Sequence, residues 1–286
     1  MVDGTGDTSP WQGFWERGGL WRAVLAAAAY LALYLGASRV IGVWFAHSVD
    51  PDDLFATPTG VFVALALPLL VGAVVLVLFV ASLRWFPVLF GPQPAGRGWM
   101  WVAPAIVLVP VLLRAAGVDY GSYAAGVVVT TLFAGLLVGF VEEVLCRGVV
   151  VTLLRRGGST EWVVMVVSSL VFALLHSANA LSGMAPATVA LTVVYTFGFG
   201  VAMYLTLRVT GNLVWPILLH GAFDPMLFLA TGGIDETTTL APVSPLLALA
   251  TPTNFLFIAL GLVSLFLARA VNGRAKGHDT PRPAAA

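Results

Sequence analysis

The stretch Phe140-Val-Glu-Glu-Val-Leu-Cys-Arg-Gly148 places Glu142, Glu143 and Arg147 in the middle of a segment that otherwise reads as membrane-spanning. A charged side chain at bilayer depth costs about 3 kcal/mol on insertion scales, so three together need a reason. The rest of the composition supports the membrane reading. Of 286 residues, 59% are apolar and only 10% charged, and the mean hydropathy is +0.95. Soluble domains sit near about 45–50% apolar and about 25% charged. The expectation is an all-α protein, a polytopic bundle of transmembrane helices facing one another in lipid. Formal net charge is zero, so nothing in the balance suggests a nucleic-acid partner. The single cysteine, Cys146, excludes an intramolecular disulfide and a Cys-rich metal site.

A span needs about 20 predominantly apolar residues. On that rule the sequence predicts eight, at 20–45, 60–83, 99–116, 123–154, 162–176, 187–207, 213–230 and 254–270. The fourth is overlong and is expected to run past the bilayer at Arg155 and Arg156. The fifth is short and can extend through Ser177 toward Asn179. The first is too long for the apolar region of a cleaved signal and reads as a retained span. Lys and Arg concentrate in cytoplasmic loops. With the N-terminus inside, twelve of the fourteen basic residues fall on the inner side, and only Arg39 and Arg114 fall toward the other. The expected topology therefore has both termini in the cytoplasm.

Flanking this 20–270 helical domain are two other segments. Residues 1–19 begin polar, which predicts disorder. They then carry Trp11, Phe14 and Trp15, which with Trp21 and Arg22 form an interfacial anchor. Residues 271–286 are polar and rich in Pro and Ala, a composition that predicts a disordered cytoplasmic tail. The run Gly91-Pro-Gln-Pro-Ala-Gly96 breaks helix between the second and third spans, and 231–253 forms the longest outer connection. Leu246 to Leu249 within it are apolar enough for the interface. No internal repeat is evident, which weighs against a transporter of repeated halves.

Depth decides whether the polar residues can meet. At 1.5 Å per residue, Glu142 lies roughly 20 Å from Arg155 along its helix, His176 roughly 21 Å from Trp162, and His220 and Asp224 roughly 12 and 18 Å from Asn212. All fall in one mid-membrane layer. Glu143 and Arg147 are i,i+4 and share a face, so Arg147 can neutralise Glu143. Glu142 points about 100° away and is left for another task. Phe172 with His176, and His220 with Asp224, share faces by the same rule.

Each feature also has a structural reading. A membrane His can be an interhelical hydrogen-bonding group, Glu143 with Arg147 a structural ion pair, and Asp224-Pro225 a kink. Glu142, Glu143, Arg147, His176, His220 and Asp224 would then need separate explanations. His47 and His278, at a span end and in the tail, carry no such pattern.

The three clusters resemble the motifs of a known family. Glu142-Glu-Val-Leu-Cys-Arg147 looks like its Glu-Glu-x-x-x-Arg motif, Phe172-Ala-Leu-Leu-His176 like Phe-x-x-x-His, and His220-Gly-Ala-Phe-Asp224 like His-x-x-x-Asn/Asp. The family is that of the CAAX proteases and bacteriocin-processing enzymes (CPBP, Abi group), which are intramembrane endopeptidases. The run Gly198-Phe-Gly200, then Arg208 to His220, also looks like the approach to its third motif. The resemblance covers about residues 127–229. It departs at Cys146, where the family often has an aromatic, and at Asp224, where the CAAX endopeptidases resemble the Asn version.

That resemblance implies that Glu142 and His176 position and deprotonate a water, while His220 and residue 224 face the carbonyl oxygen. Glu143, Arg147 and Phe172 would then support the site. It leaves the metal open. Glu142, His176, His220 and Asp224 offer N and O donors enough for zinc, whereas the paired-His spacing of the zincins is absent. A glutamate mechanism without metal or bound cofactor is the favoured expectation. The implied partners are the bilayer and a membrane-associated peptide or protein. The Ala-, Val- and Gly-rich composition points to a bacterial plasma membrane. Two readings of other classes stand beside this one: a proton- or ion-coupled transporter, since buried Glu, His and Asp mark proton relays, and a noncatalytic immunity or regulatory membrane protein.

Overall fold

Apolar side chains on all faces and backbone groups that must be satisfied without water leave the helix as the only economical element. The computed structural model describes residues 9–50, 53–232 and 244–272, and among these there is no strand. Eight helices among the described residues are long and apolar enough to cross a membrane. They are α1 (Leu20–Trp44), α2 (Pro58–Ser82), α3 (Gly98–Gly117), α4 (Ala125–Arg156), α5 (Glu161–Ser182), α6 (Pro186–Thr210), α7 (Val214–Thr231) and α8 (Pro245–Ser264). The chain is an integral, multi-pass membrane protein.

Two helices form the interior. α4 packs against α7, α2 and α1, and α6 packs against α5, α8, α3 and α7. α4 is α-helical to Glu143, widens to a π-helix over Val144–Val150, and returns to α-helix over Val151–Arg156. π-Segments of this kind are frequent at functional sites, and this one begins directly after Glu142-Glu143. A second lies at Phe62–Ala66 of α2, just ahead of Pro68, whose ring would crowd the carbonyl four residues earlier in a regular α-helix.

Seven spans lie within a few residues of their sequence-predicted bounds, and α5 continues as a 3-10 helix over His176–Ser182. The eighth differs. It starts at Pro245, nine residues before the expected 254, and ends at Ser264 rather than at 270. Ser244 caps it by accepting from Leu246 N at 3.3 Å, with Pro245 in the first turn where its missing N–H costs nothing. Pro252, which the sequence places in a loop, only interrupts the helix at Thr251–Pro252 before it resumes at Thr253. Leu246 to Leu249 thus belong to a span.

The aromatic N-terminal segment is a helix, Pro10–Glu16, closed by a capping box at Ser9. It docks on the protein at the end of the bundle where α4 stops. Trp15 is 5% exposed, Trp11 Nε1 donates to Ser82 Oγ at 3.0 Å, and Trp85 Nε1 donates to Glu16 at 2.8 Å. The expected disorder of the polar start and of most of the tail falls on 1–8 and 273–286, outside the described residues. Val271 and Asn272 close a short helix, Ala268–Asn272, and Asn272 Oδ1 accepts from Trp162 N at the start of α5.

Candidate functional site

Small residues bring the first and third motifs together. A Cβ at Gly139 of α4 would collide with the Ile217 carbonyl and with Gly221 N of α7, and one at Gly135 would strike Pro225 and the Gly221 carbonyl. Glycines four apart allow such backbone contact between membrane helices. One turn beyond this crossing, Glu143 on α4 meets His220 on α7.

That meeting revises the expected division of labour between the two glutamates. Arg147 Nη1 does donate to Glu143 Oε1, at 3.2 Å, but the same oxygen accepts from His220 Nδ1 at 2.8 Å. Glu143 is therefore an orienting group for His220 as well as a partner for Arg147. A carboxylate can only accept, so Nδ1 carries a proton and Nε2 faces the other acids. Arg147 fastens the motifs to one another. Its Nη2 donates to the Gly200 carbonyl of α6 at 2.8 Å, and its guanidinium lies over the Phe172 ring of α5, 4.5 Å from the centroid. Glycine at 200 leaves room for that approach, since a Cβ there would sit 3.1 Å from Arg147 Nη2.

His220 Nε2 lies 3.8 Å from Glu142 Oε2 and 3.4 Å from Asp224 Oδ2. Glu142 Oε2 has no hydrogen-bond partner, and its side chain is 29% exposed. His176 sits where α5 tightens from α to 3-10 geometry, and its Nδ1 lies 3.0 Å from the Phe172 carbonyl. A carbonyl cannot donate, so Nδ1 bears a proton, and in that neutral tautomer the lone pair is on Nε2. The four residues that the sequence singles out thus share one region: Glu142, His220 and Asp224 by direct approach, and His176 through the Phe172 ring, on which both imidazoles pack at 4.8 and 5.9 Å.

Other contributors carry no motif. Phe199 packs on His220 with centroids 4.8 Å apart and Phe172 at 5.9 Å, and the two phenyl rings stack 6.2 Å from one another, so the imidazole rests against a paired aromatic wall. Tyr30 and Tyr34 of α1, a helix that packs on α4, stack 6.4 Å apart. The Tyr30 hydroxyl, like Glu142 Oε2, is buried with no protein partner. A tyrosine in the middle of a first span carries no motif, and only the α1–α4 contact shows where it lies. Arg114, an outer charge by its place in the sequence, is buried in α3 over the ring of Phe223.

Among the described residues no three His, Cys, Asp or Glu side chains form a group able to hold a metal ion. An apolar cavity of about 640 Å³ between α3, α6 and α7, bounded by Trp101, Thr206 and Trp215 among others, touches the third motif only at Ala222 and is lined by none of the ionisable motif residues.

Residues 124–226 match the family described as type II CAAX prenyl endopeptidase, Rce1-like. The matched segment runs from the start of α4 to the middle of α7 and contains all three motifs, and it agrees with the family that the motifs resemble. The match supports an intramembrane endopeptidase of the CAAX type in general terms. No curated protein and no solved structure gives a significant match.

Proposed function

We propose that the chain hydrolyses peptide bonds of a membrane-associated protein or peptide, with Glu142 as general base. The observation that carries this reading is the asymmetry of the glutamate pair. Glu143 Oε1 is held by both Arg147 and His220, while Glu142 Oε2 is unpaired beside His220 Nε2.

In this mechanism a water lies between Glu142 and His176, whose Nε2 lone pair accepts one of its hydrogens. Glu142 removes the other proton as the water oxygen adds to the scissile carbonyl carbon. The oxyanion forms opposite His220, whose Nδ1–H stays hydrogen-bonded to Glu143 and whose Nε2 proton points at the developing charge. The C–N bond then breaks as the proton on Glu142 passes to the amine, leaving a free amine and a carboxylic acid that keeps the second water hydrogen, which it can then give to Glu142 or His176 as it ionises. Every step uses groups of this chain. Asp224 orients His220, and Phe172 and Phe199 form the wall it rests on. Both termini and the Arg155 end of α4 lie on the cytoplasmic side of a bacterial plasma membrane in this proposal, with twelve of fourteen basic residues on that side.

The test is a comparison of membrane peptidomes from cells carrying the wild-type chain and Glu142→Ala. Peptides that vanish with the substitution, while the protein accumulates normally, support hydrolysis. Unchanged peptidomes together with lost solute flux in liposomes replace it with transport. Unchanged peptidomes with an unchanged phenotype replace it with a noncatalytic role.

A further inference from the structure

Ser169 of α5 and Arg147 of α4 are 0% and 2% exposed, and each holds a buried polar atom with no hydrogen-bond partner among the described residues: Ser169 Oγ and Arg147 Nε. Hydroxyls inside a helix commonly bond back to a carbonyl of the preceding turn. Ser168, one residue earlier, donates to the Met165 carbonyl at 3.3 Å, and Thr131 and Thr206 make the same kind of bond at 2.8 Å. Ser169 does not. Burying a hydroxyl or a guanidinium N–H without a partner is costly.

The two unanswered groups stand on either side of one gap. A Cβ placed on Gly200 of α6 would lie 3.0 Å from Ser169 Cβ and 3.1 Å from Arg147 Nη2, so serine and guanidinium meet across the side chain that Gly200 lacks. Phe172, three residues on from Ser169 and on the same face of α5, lies under the same guanidinium, its centroid 4.5 Å from Cζ. Arg147 Nη1 and Nη2 are engaged by Glu143 and by the Gly200 carbonyl. The planar fork directs Nε–H along the edge it shares with Nη2, the side on which Ser169 stands. A polar gap between helices that packing does not close is where a buried water belongs, provided at least two polar partners face it.

We propose that one water molecule is bound between Arg147 and Ser169, accepting from Arg147 Nε and sharing a hydrogen bond with Ser169 Oγ. Two bonds of about 2.9 Å each span the gap. This water is separate from the one that is hydrolysed, which lies between Glu142 and His176. Ser169 is thereby a positioning residue: through the water it holds the guanidinium that holds Glu143, and Glu143 holds His220 Nδ1. Its effect on hydrolysis rests on the endopeptidase reading above, but the water site does not.

The test pairs an experimental density map, at a resolution that shows ordered water, with cleavage of a Glu142-dependent peptide. Both use the purified full-length chain. The wild type is expected to show density within about 2.6–3.2 Å of both Ser169 Oγ and Arg147 Nε. Ser169→Ala removes only an oxygen and leaves a strong helix former, so it should fold; it is expected to lose that density. Its kcat should fall about threefold to tenfold with little change in KM, as when one hydrogen bond is lost from the transition state. Ser169→Thr and Ser169→Val have the same shape and differ in the hydroxyl, so Thr should be the faster of the two. Absent density in the wild type, density retained in Ser169→Ala, or Ser169 Oγ bonded directly to a protein group overturns the water site. Bound water with an unchanged kcat for Ser169→Ala, or equal rates for Thr and Val, overturns the positioning role. If the wild type cleaves nothing, the endopeptidase reading falls while the maps still decide the water.

Discussion

The bundle holds two buried charge clusters that obey opposite rules. At the end of the bundle where α4 stops, Glu161 Oε1 accepts from Arg155 Nε at 2.9 Å, and Oε2 accepts from Arg155 Nη2 at 2.9 Å, from Arg208 Nη1 at 2.8 Å and from the Tyr204 hydroxyl. The remaining arm of Arg155 reaches Gln93 Oε1 at 2.8 Å, and Arg208 donates to the carbonyls of Pro94 and Ala95 at 3.0 and 3.2 Å. No side-chain polar atom of Glu161, Arg155, Arg208 or Tyr204 is left buried and unpaired. In the middle of the bundle, by contrast, Glu142 Oε2, Glu143 Oε2, Arg147 Nε and the Tyr30 hydroxyl all lack a partner among the described residues. Buried polar groups are normally satisfied, and each exception calls for an explanation. The saturated cluster fastens the loop at 91–96 to α4, α5 and α6. The unsaturated one retains hydrogen-bonding capacity, which the proposed hydrolysis would use to hold water and a peptide bond.

Breaking each cluster should therefore affect different readouts. The largest loss of stability is expected for Glu161→Ala, which strands two arginines and a tyrosine. Breaking a buried ion pair from one side costs about 3–5 kcal/mol, and the partial exposure of Glu161 at 21% puts the expectation at the lower end, about 3 kcal/mol. Detergent melting should fall clearly while kcat per folded molecule is kept. A parallel fall in kcat at temperatures where the protein remains folded would show that the clusters are not separable.

Gly139→Val comes next. The added atoms meet the Ile217 carbonyl and Gly221, so α4 and α7 must part. Overpacking of this kind costs about 1–3 kcal/mol, and here it should also lengthen the Glu143–His220 bond and reduce cleavage more than melting. Equal loss in both would argue that the crossing is only structural. The smallest effect is expected for Phe172→Leu, which removes the ring under Arg147 and one wall of His220. The lost cation–π contact is worth about 1 kcal/mol, so a small drop in melting temperature with a measurable rise in KM or fall in kcat is predicted. No change in either would remove Phe172 from the site.

Much of this architecture is legible in the sequence. Eight apolar runs predict eight spans, and helical rise places Glu142, His176, His220 and Asp224 at one depth. Spacing rules speak only along a helix, however. They pair Glu143 with Arg147 and are silent on His220, because that bond depends on how closely Gly135, Gly139 and Gly221 let α4 and α7 approach. A carboxylate oxygen can accept from more than one donor, so the i,i+4 partner does not exhaust it. Tyr30 and Arg114 escape sequence reasoning for a related cause. Arg114 stands three residues from the end of α3, where a loop charge is expected, and Tyr30 stands mid-span in α1 without a motif; only the packing of α3 on α7 and of α1 on α4 shows where they lie. The eighth span differs because Pro252 reads as a boundary in the sequence, whereas the helix resumes one residue later.

The most direct measurement is the paired cleavage rate and melting temperature of purified Glu142→Gln. Loss of a general base costs about 10²–10⁴ in rate. The account predicts a fall in kcat within that range, with melting unchanged or raised because an unpaired buried acid has been neutralised. Retained cleavage, or a loss of cleavage matched by a loss of folding, would contradict it.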